Sequence, residues 1–247
     1  MRTLNIAAAQ AVSARGAIAA NLEHHCQLAE LAAAEGVEVL VFPELSLTGY
    51  ELDIARTHAF SAGDERLEPL LEVADARKVT LVVGAPVRLT TGLHIAALIL
   101  EPNRSIGVYT KRYPFGDEKA VFVPGSLDPI LELGDDRAVL AICADTSHPE
   151  HAEAAAKRGA SLYLVGVFFD PEGYQASCER LAGYAARHAM AVAMANAGCP
   201  ATGFASAGGS AIWSDSGDLV ARLDGVGAGL VIARRSERGW SGKAVFL

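Results

Sequence analysis

The sequence predicts an α/β layered fold in which mixed sheets pack between helical layers. Short, nearly unbroken apolar runs (VEVLVF, TLVVGAPV, AVLAIC, SLYLVGVF) read as strands covered on both faces. Amphipathic stretches alternate with these runs, the pattern of an α/β protein. The strand count is high and the later strands come as hairpins between 210 and 223, so a mixed sheet pair fits better than a purely parallel doubly wound sheet.

In chain order, strands are expected over 4–10, 37–43, 80–87, 94–100, 106–111, 138–143, 162–168, 192–196, 210–213, 219–223 and 230–233. Helices are expected over 17–35, 66–78, 149–158 and 174–189. In the first helix, Leu22, Cys26, Leu28, Leu31 and Ala32 recur at helical spacing, and Gly36 stands where a C-cap glycine belongs. Tight turns fall at 101–105, 214–218 and 224–229. No repeat, low-complexity segment or Pro/Ser-rich linker interrupts residues 1–247, which read as one domain.

Composition bounds the function. The 247 residues carry 21 Lys+Arg against 29 Asp+Glu, a formal net charge of −8, without basic clusters. That balance argues against a nucleic-acid or anionic-membrane partner. A hydrophobic content of 51% supplies a substantial core and excludes disorder. Four scattered cysteines without a CxxC point to a reducing compartment, and a cytoplasmic protein is expected. The apolar run 6–9 is too short for a signal-peptide core and belongs to the first strand. No run approaches the ~18 apolar residues of a membrane span.

Three polar residues fall at or beside the ends of apolar strands. Glu44 follows Pro43 in VFPELSLTGY; a carboxylate against an apolar wall has a raised pKa and can act as a base, although an isolated Pro-Glu is usually an ordinary loop. Lys111 in IGVYTKRYPFGDE shares a strand face with Tyr109 and by itself reads as a solvated strand end; Glu118, in the turn beyond, reads as a surface carboxylate. Cys143 closes a strand in VLAICADTSHPE. Ser147 and Glu150 are spaced as a capping box with Pro149 in the first turn, which would set Cys143 just before a helix N-terminus that favours a thiolate. A small buried hydrophobe is the other reading of that cysteine.

Other motifs carry less. In His24-His25-Cys26 adjacent helical side chains diverge, which disfavours a metal site. GVGAG (225–229) lacks dinucleotide-binding spacing and reads as a hairpin turn. Neither G-x-S-x-G nor a Walker A sequence occurs.

Taken together, LNIAAAQ, FPELSLTGY with Glu44, YTKRYPFGDEKAVFVPG with Lys111 and Glu118, ICADTSHPE with Cys143, RHAMAVAMANAG and GGSAIWSDSGDLVA resemble the nitrilase superfamily of carbon–nitrogen hydrolases. The resemblance covers most of the chain, and the order Glu, Lys, Cys, each in its own block, is its most specific part. It implies a four-layer α-β-β-α sandwich that assembles as a homodimer or higher homo-oligomer. It also implies Glu44 as general base, Cys143 as nucleophile, Lys111 as the cation at the oxyanion, and Glu118 as a second carboxylate that positions substrate or assists proton transfer. Lys111 and the Ala144 N–H would supply the oxyanion donors. No metal or organic cofactor is required.

The chain departs from the family where Ala144 replaces an aromatic residue, where His148-Pro149-Glu150 replaces F-P-E, and where Met190 stands about where a glutamate usually follows Arg187. These changes imply a differently shaped pocket, with Phe168 and His148 as its candidate wall. The expected reaction is hydrolysis of a small linear amide or N-carbamoyl compound through a Cys143 thioester. Nitrile hydrolysis, acyl transfer to an amine, and a non-catalytic binding or assembly role for the sandwich are the alternatives.

Overall fold

The computed structural model describes residues 2–247. The first half of the chain runs β1 (Leu4–Gln10), α1 (Ile18–Ala34), β2 (Val39–Val41), α2 (Glu68–Arg77), β3 (Thr80–Leu89), β4 (Gly92–Leu100) and β5 (Ile106–Thr110). Next come β6 (Leu131–Leu133), β7 (Asp136–Ile142), α3 (Pro149–Lys157), β8 (Leu162–Val167), α4 (Pro171–His188) and β9 (Ala191–Asn196). The chain closes with β10 (Ala211–Trp213), β11 (Leu219–Arg222), β12 (Gly229–Ser236) and β13 (Gly239–Phe246).

Two mixed sheets result. One has seven strands in the order β13-β12-β1-β2-β3-β4-β5; the other has six in the order β11-β10-β9-β8-β7-β6. In each, a parallel centre (β1-β2-β3, β7-β8-β9) is flanked by antiparallel strands. Alternation along a strand divides its side chains between two cores. Ile6 and Ala8 of β1 enter the core between the sheets, while Ala7 and Ala9 pack with Leu28 of α1 and Leu70 of α2. In β7, Leu140 and Ile142 face inward, while Val139 and Ala141 pack with Ala152 of α3 and Leu181 of α4. The layers are therefore α-β-β-α, as the resemblance implied. Among the described residues, no helix is long and apolar enough to cross a membrane.

Two strands went unread in the sequence. β6 is only three residues long, and β13, GWSGKAVF, is an exposed edge strand whose glycines and polar residues show no buried face. The expected strand over 37–43 contracts to β2, and the chain turns from Glu44 onward to form the site. Helix α4 begins at Pro171 instead of 174; Asp170 caps it by accepting the Gly173 N–H at 2.6 Å, and Pro171 fits the first turn.

Close backbone approach seats the segment after β2 between the sheets. A Cβ on Gly84 of β3 would lie 2.1 Å from the Pro43 carbonyl oxygen and 2.6 Å from the Leu45 nitrogen. A Cβ on Gly166 of β8 would lie 2.7 Å from the Phe42 carbonyl oxygen. These neighbours are backbone and cannot swing aside. Gly84→Ala is therefore expected to displace Glu44, lowering kcat/KM roughly 100-fold and stability by about 1–3 kcal/mol. Gly183→Ala, on an open face of α4, is the control and should be neutral or stabilising. Equal activity of the two variants would overturn this account of the glycine.

Candidate active site

Four chain segments converge at one end of the sheet pair. Glu44 follows β2, Lys111 follows β5, Glu118 lies in the 3-10 turn Gly116–Ala120, and Cys143 opens the 3-10 turn Cys143–Ser147 after β7. Glu44, Lys111 and Glu118 are each at most 2% exposed, whereas Cys143 is half-buried and reaches the cleft. Cys143 itself has φ 43°, and Leu45, beside Glu44, has φ 53°. Neither is glycine, so both positions hold backbone strain of the kind that clusters at working sites.

Lys111 is the hub. Its Nζ donates to Glu44 Oε1 at 2.6 Å and to Glu118 Oε1 and Oε2 at 2.8 and 2.7 Å. Glu118 also accepts the Tyr50 hydroxyl at 2.7 Å and the Phe115 N–H at 2.7 Å, which leaves it fully engaged. Glu44 differs: its Oε2 is buried and has no hydrogen-bond partner. Burial pushes the Glu44 carboxyl up to about 7, with Glu118 adding to the rise and Lys111 opposing it. An unpartnered carboxylate oxygen with that pKa suits a base that takes and returns a proton near neutrality.

The thiol behaves differently from the sequence expectation. A five-residue 3-10 turn separates Cys143 from α3, and the Ser147–Glu150 capping box does not form. His148 takes the N-cap position without a side-chain cap, and Glu150 pairs with its Nδ1 at 3.2 Å. Burial and the neighbouring Glu44 raise the Cys143 pKa against the pull of Lys111. Cys143 therefore rests as a thiol, not as a thiolate held by a helix dipole. Ala144 follows it in the first turn of the 3-10 element, where N–H groups lack an intrahelical acceptor.

Asp145 ties these pieces together. Fully buried, it accepts from the Arg112 and Tyr113 N–H groups, both at 3.0 Å, from Ile142 N–H at 3.0 Å and from the Tyr109 hydroxyl at 2.6 Å. It thus clamps the segment carrying Lys111 to the turn carrying Cys143. The Tyr50–Glu118 contact was invisible in the sequence, since nothing local to Tyr50 distinguishes it from core packing. On the far side, Asn196 of β9 accepts the Phe169 N–H at 2.8 Å and so fixes the end of β8 where Phe168 faces the cleft.

The cleft above Cys143 has a volume of about 390 Å³ and opens to solvent. Tyr50, Phe115, Phe168 and Phe204 supply aromatic walls, Ala144 lies beside the thiol, and Arg180 of α4 is the basic residue that lines it. His148 is not among the lining residues. It stacks on Tyr113 at 3.6 Å in an adjoining hollow, because its N-cap position turns it away from Cys143. The 24–26 segment is structural: His25 is buried, bonds Asn21 O and Ser46 Oγ at 2.6 and 2.9 Å, and stacks on Phe42. Among the described residues, no group of three or more His, Cys, Asp or Glu side chains is arranged to hold a metal.

A sandwich of this layering, with Glu, Lys and Cys brought to one end, is the architecture of the nitrilase superfamily. The carbon-nitrogen hydrolase family model matches residues 5–239, and the chain belongs to that family. A nitrilase of Pyrococcus abyssi is 31% identical over 142 residues, 55% of this chain and 54% of its own length. A glutamine-dependent NAD(+) synthetase of Rhodobacter capsulatus is 29% identical over 155 residues, 61% of this chain and 28% of its own. The chain thus spans about half or less of these relatives. Among solved structures, an amidase from Nesterenkonia sp. AN1, as a double mutant in complex with acrylamide, is similar with a TM-score of 0.86 at 27% identity, over 95% of this chain and 91% of its own.

Proposed function

We propose that this chain hydrolyses a non-peptide carbon–nitrogen bond in a small linear amide or N-carbamoyl compound through a thioester on Cys143. The carrying observation is the Lys111 ammonium, which pairs with Glu118 and with one oxygen of Glu44 and leaves the other Glu44 oxygen unpartnered at the site of the thiol. In the first half-reaction Glu44 takes the thiol proton as Sγ bonds to the carbonyl carbon, and Lys111 with the Ala144 N–H stabilises the oxyanion. The tetrahedral adduct then collapses, and the C–N bond breaks as Glu44 returns the proton to the leaving amine or ammonia. Water attacks the thioester with Glu44 again accepting a proton. The C–S bond breaks, the acid leaves, and the thiol is regenerated. Glu118 acts through Lys111, holding its ammonium in place with Tyr50. In a mutant of the Nesterenkonia amidase, the acetamide moiety of fluoroacetamide adds covalently at the active-site cysteine, a precedent for a nucleophilic thiol on this fold.

The test is ammonia release from primary amides, N-carbamoyl amino acids and nitriles across pH. Glu44 must be ionised to accept the proton, and its pKa is raised, so kcat/KM should climb about tenfold per pH unit on the acid side and level off above about pH 7. Glu44→Gln should abolish both the rate and that limb. Release from nitriles alone, or a rate flat between pH 5 and pH 8, would overturn the proposal. Silence across the panel beside an inert Cys143 would favour a non-catalytic role for the sandwich.

A further inference from the structure

Arg180 is the one basic residue lining the cleft, and the proposed chemistry gives it no part. It sits on α4, half-buried, and lines the same cleft as Cys143. Its Nη2 donates to Ser177 Oγ at 3.0 Å on its own helix, and its Nε is buried with no hydrogen-bond partner. Arg112 and Arg235 also carry a buried, unpartnered Nε, but those two are ion-paired with Asp128 and Asp136. Among the described residues, no carboxylate lies within 4.0 Å of the Arg180 guanidinium.

Nearby acids are occupied elsewhere. Asp170, at the cleft rim, caps α4 through Gly173 N–H at 2.6 Å. Glu179 accepts from Gln175 Nε2 at 2.9 Å, Glu150 pairs with His148, and Glu118 is committed to Lys111. A guanidinium presents five donors in a planar fork, and a desolvated Nε–H without an acceptor is costly to leave unmade. The cleft that holds both Arg180 and the thiol also offers aromatic surface. Tyr50 stacks on Phe168 with centroids 4.9 Å apart, and Phe204 meets Tyr50 edge-on at 5.9 Å.

We infer that Arg180 is a specificity-determining residue that binds a carboxylate on the substrate, so the preferred amide or N-carbamoyl compound carries an anionic end beyond an apolar spacer. The inference rests on the proposed hydrolase reading for the identity of the reacting end. The thiol site takes the scissile carbonyl, the aromatic walls cover the spacer, and the guanidinium fork donates to both carboxylate oxygens. In a chain of net charge −8, an unpaired arginine in the cleft also attracts an anion that the rest of the surface repels.

The experiment compares a homologous series of linear amides ending in a carboxylate with the neutral isostere of each. The wild type should favour the carboxylate at the best chain length by roughly 10–100-fold in kcat/KM, the size of one or two hydrogen bonds to a charged group. Arg180→Met should erase that ratio through KM, and Arg180→Lys should restore part of it. A wild type that treats both members alike, or an Arg180→Met variant that slows both equally, overturns the inference. Calorimetric binding of butyrate, valerate and hexanoate to Cys143→Ala and to the Cys143→Ala/Arg180→Met double variant separates the two readings. Arg180-dependent binding without turnover of any amide keeps the anion site and removes the hydrolase. Turnover that ignores the charge keeps the hydrolase and removes the anion site.

Discussion

Cys143→Ala is expected to lower turnover by roughly 10⁴-fold or more, the scale on which loss of a covalent nucleophile acts. The fold should survive. Cys143 is half-buried beside two apolar clusters, and its Sγ donates one long hydrogen bond, 3.9 Å to the Phe168 carbonyl oxygen. Alanine removes one sulfur atom's packing and that long hydrogen bond. The same change should abolish trapping of an acyl-enzyme by mass spectrometry. In the wild type, iodoacetamide should modify Cys143 well ahead of Cys26, Cys178 and Cys199. Burial raises the pKa of all four thiols, but only Cys143 has a carboxylate base and a lysine beside it. Full ammonia release from the alanine variant would remove the thiol mechanism, and uniform labelling of the four cysteines would remove the claim that the site activates it.

Lys111→Met is expected to damage both activity and stability. Glu44 and Glu118 lie buried against the Lys111 ammonium, whose own pKa stays raised because Glu44, Cys143 and Glu118 outweigh the burial that alone would lower it. Removing the cation leaves two buried carboxylates without a countercharge, and breaking a buried pair in this way costs about 3–5 kcal/mol. The sign of the pH dependence follows from Glu44. Its folded-state pKa already stands at about 7, above the unfolded value, and Lys111 is what holds it down. In the variant it rises further, so stability is present in acid and is lost as pH rises through the new pKa. The Tm difference between wild type and Lys111→Met should therefore be small near pH 5 and large near pH 8. A loss of equal size at both values would contradict the assignment of Lys111 as the neutraliser of these acids.

Both predictions depend on residues distant in sequence: Lys111 and Glu44 are separated by 67 positions. What the sequence could supply was local. Apolar runs such as AVLAIC and SLYLVGVF marked β7 and β8 because a strand buried on both faces must be apolar at every position. Glu44, Lys111 and Cys143 stood out because a polar group at the end of such a run breaks a strong pattern. The helices were legible to within a few residues, and α4 was misplaced only where its Asp-Pro cap went unread. The edge strand β13 was not legible, since it buries no face and so leaves no periodicity.

The layering, the strand-rich core and the placement of Glu44, Lys111 and Cys143 at strand ends were thus legible in the sequence itself, because burial imposes a pattern on each strand separately. The roles of the three came only from the family resemblance. The tertiary structure decided everything that depends on distance. Gly84 and Gly166 admit the turn bearing Glu44 only because two sheets meet there, and Asp145 becomes a clamp only when the ends of β5 and β7 are side by side. The same holds for the thiol, which local sequence placed at a helix dipole and three-dimensional packing placed against a carboxylate that raises its pKa. Arg180 carried no signal on the polar side of an amphipathic helix. Its meaning came from the absence of a carboxylate partner in the cleft it lines, and electrostatic compensation is set by neighbours in space, not by neighbours in the chain.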